Sequence, residues 1–156
     1  MDRQKWIVWA ARVAVAVVCI SNLSAAVPFV LKPEAYAPGF EASGFGGAVL
    51  VRALGLAFLM WQVAFVPVIW NPRNRACFLV ILAMQVVGLA GETWAVLTMP
   101  AGHDALRATA QRFIAFDAAG LVLLALAYAA VWLSSARGAH AEPDSPLEED
   151  QDQSAD

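Results

Sequence analysis

Four apolar runs constrain this chain more than any other feature. They cover about residues 6–31, 47–70, 76–98 and 113–133. An α-helix rises 1.5 Å per residue, so roughly 20 residues cross a ~30 Å hydrocarbon core. Every run reaches that length, which predicts an all-α membrane protein: a four-transmembrane-helix bundle over residues 1–137. Spanning β-strands are excluded, because they are ~10 residues long and alternate apolar with polar positions. The composition agrees, with 60% hydrophobic and 15% charged residues. A soluble domain carries about half and a quarter. That balance excludes a disordered chain, a collagen-like repeat and a nucleic-acid-binding module, and it argues against an ordinary soluble enzyme.

Helix breakers separate the runs. Lys32-Pro33-Glu34 through Pro38-Gly39 and on to Gly44-Phe45-Gly46 forms the first connection, and Asn71-Pro72-Arg73-Asn74-Arg75 the second. Met99-Pro100-Ala101-Gly102 opens the third. Proline and glycine end helices at each place. So short a second connection predicts that the second and third helices are antiparallel neighbours. Asp104 can cap a helix that continues into the fourth run, so residues 104–112 read as a helical extension at the membrane surface, with a plain loop as the alternative.

Charge divides the chain. All seven acids beyond Arg137 lie in the tail, which leaves ten bases against six acids in the body. The formal net charge of −3 therefore describes the tail. Residues 138–156, with Pro143, Pro146 and few apolar side chains, read as a disordered acidic terminus. Partner docking is the alternative. Arg3, Lys5, Arg12, Arg73, Arg75 and Arg137 fall on one side of a four-span bundle, and Lys32, Arg107 and Arg112 on the other. The positive-inside rule places both termini of this multi-pass chain in the cytoplasm. Trp6, Trp9, Trp70 and Trp132 mark the cytoplasmic boundary, and Phe29, Trp94 and Phe113 the other.

The start also has features of a secretory signal peptide, with Ser24-Ala25-Ala26 as a cleavage site, but Arg12 interrupts its apolar stretch and that stretch is long enough to span. Cys19 and Cys77 lie inside apolar runs, not in a CxxC pair, and read as small buried hydrophobes.

Ionisable residues inside a span are costly and are functional candidates by default. Arg52, Glu92 and Asp117 lie well inside, each roughly 6–9 Å below the same membrane face by helical rise. That shared depth predicts a cluster in which Arg52 bridges Glu92 and Asp117. Gln85 stands seven residues before Glu92 on one face, with Gly88 between. Gln62 reaches a similar depth, Tyr128 follows Asp117 by eleven residues, and Asn22 lies between the layers. These seven residues form the candidate site, a polar seam either for helix assembly or for a ligand or proton. With one base against two acids, one carboxyl is left over to hold a proton or a cation. His103 in the third connection either caps the site or is exposed. Gly55, Gly88, Gly91 and Gly120 are expected to let helices approach. No catalytic triad, metal-binding motif, phosphate loop or haem ligand pair is present in the sequence, so no catalytic residue, metal or cofactor is assigned.

Val51-Arg52-Ala53-Leu54-Gly55-Leu56-Ala57-Phe58 resembles the corresponding helix of DoxX-like small four-helix bacterial membrane proteins. The Trp70-Asn71-Pro72-Arg73-Asn74-Arg75 turn, with Gly91-Glu92, more narrowly resembles BphX-like proteins associated with aromatic degradation. The likeness covers about residues 5–135. It implies a non-catalytic accessory or subunit, of a redox or aromatic-degradation system, with a membrane oxidoreductase or a second copy as partner. Arg52, Gly55 and Glu92 carry over by motif. The alternative is a proton- or cation-linked small-molecule transporter or binding protein using Arg52, Glu92 and Asp117. An intramembrane enzyme is a third reading, without a nucleophile–base pair to support it.

Overall fold

The computed structural model describes residues 3–139, with side chains as far as Ser135. Helix α1 runs over Arg3–Leu31. A short helix α2 (Pro33–Tyr36) and a 3-10 turn (Ala37–Phe40) follow. Then come α3 (Gly44–Gln62), α4 (Phe65–Trp70), α5 (Arg75–Thr98) and α6 (Asp104–Ala139). Among the described residues four segments are long and apolar enough to cross a membrane: Arg3–Leu31, Gly44–Trp70, Arg75–Thr98 and Asp104–Ser135. The chain is thus built as a multi-pass helical bundle. The fourth segment takes up the surface extension, which is helical from Asp104 onward. The acidic tail from 140 on lies outside the described residues.

The second span breaks where the sequence reading ran straight through. Pro67 has no N–H to give Val63 and its ring crowds that carbonyl. The chain answers with tighter bonds at the break. Val63 N donates to Met60 O, Ala64 N to Trp61 O and Val66 N to Val63 O, each at 3.3 Å. In the following turn, Asn74 caps α5 by accepting from Cys77 N at 3.2 Å, and Asn71 Oδ1 accepts from Arg73 N at 3.2 Å. The two asparagines therefore shape the reversal, which is a local job for the motif that carried the resemblance.

Helix C-termini leave carbonyls without intrahelical donors, and a membrane supplies few others. Here arginines from neighbouring helices fill that need. Arg12 Nε donates to Ile69 O at 2.8 Å and its Nη2 to Trp70 O at 3.0 Å, closing α4. Arg52 Nε donates to Val30 O at 3.3 Å, at the end of α1. Arg107 reaches Val96 O at 3.2 Å and Met99 O at 2.9 Å, at the end of α5. A cation there also opposes the negative end of the helix dipole. Arg107→Ala is expected to cost about 2 kcal/mol, the range for bonds to a charged donor. Arg107→Lys should recover only part, since an ammonium lacks the planar fork. Thermal unfolding in detergent, with amide exchange around Met99, tests this. An alanine variant with unchanged exchange there would refute the capping role.

The bundle is not a square in which successive helices are neighbours. Helix α1 packs between α3 and α6, and α6 also packs on α5. Helices α3 and α5 make no close backbone approach, and of the second span only α4 meets α5, beside the turn. The second and third spans are therefore neighbours at the turn, while further along only side chains such as Trp61 against Gly88 bring them together. A tight turn holds two helix ends together and leaves the rest to side-chain bulk.

Two apolar cores result. One joins Val15 and Val18 of α1, Phe65 and Val68 of α4, Phe78 and Ile81 of α5, and Leu124 of α6. The other lies nearer the opposite face and joins Phe29, Ala37 and Val51, with Phe40, Phe58 and Phe113 against them. Phe29 is 5% exposed, so it is a core residue and not an interfacial marker. Its ring meets Tyr36, Phe40 and Phe113 edge-on. Trp6, Trp9, Trp70, Trp94 and Trp132 are exposed, as membrane-boundary residues should be.

Candidate functional site

Between the two cores every spanning segment contributes polar residues to one cavity. On α1 these are Ser21, Asn22 and Ser24. Gln62 comes from α3, Gln85 and Glu92 from α5, and Asp117 from α6. Together with Phe58, Trp61, Phe113 and Phe116 they line a cavity of about 80 Å³. It exists because α3 and α5 stand apart here, with side chains filling part of the gap. Glycine allows the remaining close approaches. A Cβ on Gly88 would stand 3.0 Å from Asp117 Oδ2 and 3.2 Å from the Trp61 ring, and one on Gly120 would stand 3.1 Å from Gln85 Nε2. Among the described residues no other helix comes within 4 Å of a Cβ on Gly91, so Gly91, contrary to expectation, admits no close helix contact.

Five of the seven sequence candidates meet in this cavity: Asn22, Gln62, Gln85, Glu92 and Asp117. Gln85 is 5% exposed and its Nε2 donates to Asp117 O at 3.3 Å, tying α5 to α6. Gln62 is 7% exposed. Its Nε2 donates to Phe58 O at 3.3 Å, and its Oε1 is buried without a partner among the described residues. Glu92 Oε2 is likewise buried and unpartnered. The Glu92 and Asp117 carboxyls line the same cavity.

Arg52 and Tyr128 are elsewhere. The Arg52 side chain is about half exposed, and its Nη2 lies 3.9 Å from Glu34 Oε1 beside the Val30 bond. The expected Arg52 bridge between Glu92 and Asp117 is therefore corrected. A long side chain near a membrane surface reaches outward to water and to free carbonyls. Tyr128 accepts from Arg75 Nε at 3.0 Å, and the Arg75 guanidinium lies 4.2 Å from the Trp132 ring centroid. Eleven residues after Asp117 is the right face, but it is ~16 Å further along the helix. A second cavity of about 330 Å³ shares Ala25, Phe113 and Phe116 with the first and reaches Tyr36, Thr109 and Arg112.

His103 belongs to a separate contact. Its Nδ1 bonds Glu41 Oε2, and Glu41 Oε1 accepts from Leu106 N at 3.2 Å. Glu41, and not Asp104, thus caps α6 from the first connection. Glu41 holds a left-handed backbone, φ 53, a conformation that usually costs ~1–2 kcal/mol outside glycine. Thr109 Oγ1 also bonds Gly39 O at 2.7 Å, docking the same loop. The bond from His103, and then that from Leu106 N–H, hold the Glu41 carboxyl below the ordinary glutamate range. A depressed carboxyl contributes stability above its unfolded value, near pH ~4.3, and loses it as pH falls through the folded value. Acidification below about 4.3 should release the first connection from α6. Glu41→Gln should remove that acid transition, read from the Leu106 amide signal. A transition unchanged in the variant would refute the assignment.

No family model, curated protein or solved structure matches the chain.

Proposed function

We propose that the chain is a small integral membrane protein that binds a small polar ligand inside its bundle, in the cavity between the two apolar cores. One observation carries this reading: Gln62 Oε1 and Glu92 Oε2 are buried acceptors without donors, on the wall of one cavity at membrane depth. Leaving a polar group unsatisfied in a low-dielectric layer costs several kcal/mol, on the order of 2–7. A ligand that donates to both offsets that cost. The positive-inside rule supports cytoplasmic termini, and the resemblance to DoxX-like bacterial proteins supports an inner-membrane location. Binding or proton- and cation-linked transport then falls to Glu92 and Asp117, without Arg52.

Thiol labelling tests the cavity. With Cys19 and Cys77 replaced by alanine, Asn22→Cys should react with a small water-soluble thiol reagent in bilayer nanodiscs. Ile20→Cys, at a position 65% exposed on the outer surface of the bundle, should not. Equal, absent labelling at both positions would remove the binding reading.

A second reading is a non-catalytic accessory of a membrane redox or aromatic-degradation system, in keeping with the DoxX-like and BphX-like resemblance. The Arg52–Gly55 motif supports a scaffold role, since Arg52 closes the end of α1 and Gly55 lets α3 lie directly on it. Mild-detergent purification should then yield a stable hetero- or homo-oligomer. A partner-free monomer would count against that role.

A further inference from the structure

We propose that the cavity takes a small primary or secondary alkylammonium ion, whose N–H groups serve Glu92, Asp117 and Gln62 and whose hydrocarbon lies among Trp61 and the phenylalanines. This rests on the ligand-cavity reading above and names its ligand class.

Charge comes first. Two carboxyls line the cavity and no lysine, arginine or histidine does. Of the nearby guanidinium groups, Arg52 bonds Val30 O beside Glu34, Arg12 bonds Ile69 O and Trp70 O, and Arg107 bonds Met99 O, while Arg112 lines the adjoining cavity and not this one. Burying carboxylates without a cation is costly, and a ligand cation offsets that cost.

Hydrogen bonding narrows the cation. Gln62 is more than nine-tenths buried, one of its two Nε2 hydrogens goes to Phe58 O, and its free Oε1 accepts only. Glu92 Oε2 has the same need. A ligand with N–H donors satisfies both, whereas a quaternary ammonium satisfies neither. Aromatic walls from Phe58, Trp61, Phe113 and Phe116 favour an organic cation, through ring-face attraction and hydrocarbon contact. A metal ion is not favoured: among the described residues no group of three or more His, Cys, Asp or Glu is placed to hold one. Size sets the last limit. The cavity, about 80 Å³, has roughly half the volume of an engineered cavity of ~150 Å³ that admits benzene. That room suits a short alkyl chain.

The test uses the full chain in lipid nanodiscs at constant ionic strength, titrated with ethylammonium chloride and followed by thermal stability and calorimetry. Ligands this small have limited affinity, so a dissociation constant of ~1 mM is expected. Ethanol, tetramethylammonium and sodium should bind at least about tenfold more weakly, if at all. Glu92→Gln and Asp117→Asn should each weaken ethylammonium binding by at least about tenfold while leaving helix content and monodispersity intact. If either neutral variant fails to fold, Gly88→Ala provides the readout, because its Cβ crowds Asp117 and Trp61 and should weaken ethylammonium selectively. Ethanol binding as well as ethylammonium would overturn the ammonium class and leave the cavity reading standing. Sodium or tetramethylammonium matching ethylammonium would overturn it too. Absence of binding by every probe, with Asn22→Cys still labelled, would remove the ammonium proposal alone; an unlabelled Asn22→Cys would remove both.

Discussion

Replacing Gly55 by valine is expected to cost the bundle about 3 kcal/mol, the upper part of the range for overpacking, or to prevent α3 from docking on α1. A Cβ at this position would lie 2.8 Å from Phe29 Cβ, 2.9 Å from Val30 Cγ2 and 3.0 Å from Ala26 O. Phe29 Cβ and the Ala26 carbonyl are fixed by the α1 backbone, so no rotamer change relieves the clash. The helices must separate, and the Arg52 bond to Val30 O goes with them. In lipid the loss is serious, because helix association there rests on close packing and hydrogen bonds more than on apolar burial. Gly91→Ala is the matched control. Its Cβ meets nothing, and alanine in a helix is favoured over glycine by ~1 kcal/mol, so this variant should be neutral or stabilising. Thermal or denaturant unfolding in detergent compares the pair. Equal stability of the two variants would show that α1 and α3 are not in contact at Gly55.

Phe78→Ala is the second large effect. Phe78 is fully buried and its ring stands edge-on to Tyr128 at 5.4 Å between centroids. It joins α5 to Val15 and Val18 of α1 and Leu124 of α6, with Phe65 and Val68 of α4 in the same core. Truncating a buried phenylalanine in a soluble core costs ~3–5 kcal/mol through lost transfer and an unfilled cavity. The transfer part shrinks when the separated helices remain in lipid, leaving chiefly lost packing, so about 3 kcal/mol is expected. Val87→Ala, at a position 67% exposed on the same helix, should change stability by no more than about 0.5 kcal/mol. A Phe78 variant as mild as the Val87 one would mean that α5 does not pack where the structure places it.

The candidate site was legible in part. Gln85 and Glu92 stand seven residues apart, two helical turns, and both line the cavity. Gln62, Asn22 and Asp117 were chosen by depth and also arrive there. Arg52 was chosen by the same depth argument and goes elsewhere. Depth along a helix is one coordinate, and the direction in which a side chain leaves the helix is another. Arg52 faces the end of α1, where Val30 O lacks a donor, and its reach takes it to that carbonyl and to Glu34. The Arg12 and Arg107 caps were missed for a related reason: their acceptors are backbone carbonyls, which carry no residue identity to notice. The one available signal was their spacing from the breaks at Asn71 and Pro100, which mark where helix ends lie. Pro67 was a signal that went unused, and it marks the break beside Gln62.

By itself the sequence determined the number of helices long and apolar enough to cross a membrane, and which polar residues lie among them. Those properties are local: a run of apolar side chains either matches the hydrocarbon thickness or does not, and proline and glycine stop helices wherever they occur. Only the tertiary structure decided which helices touch, that α1 sits between α3 and α6, and that α3 and α5 stand apart around a cavity. Those outcomes depend on where small residues such as Gly55 admit a neighbour and where Trp61 and Gln62 hold one off. Lipid is as apolar as the helix faces, so the apolar pattern cannot choose neighbours. Shape and the needs of unpaired polar groups choose them instead.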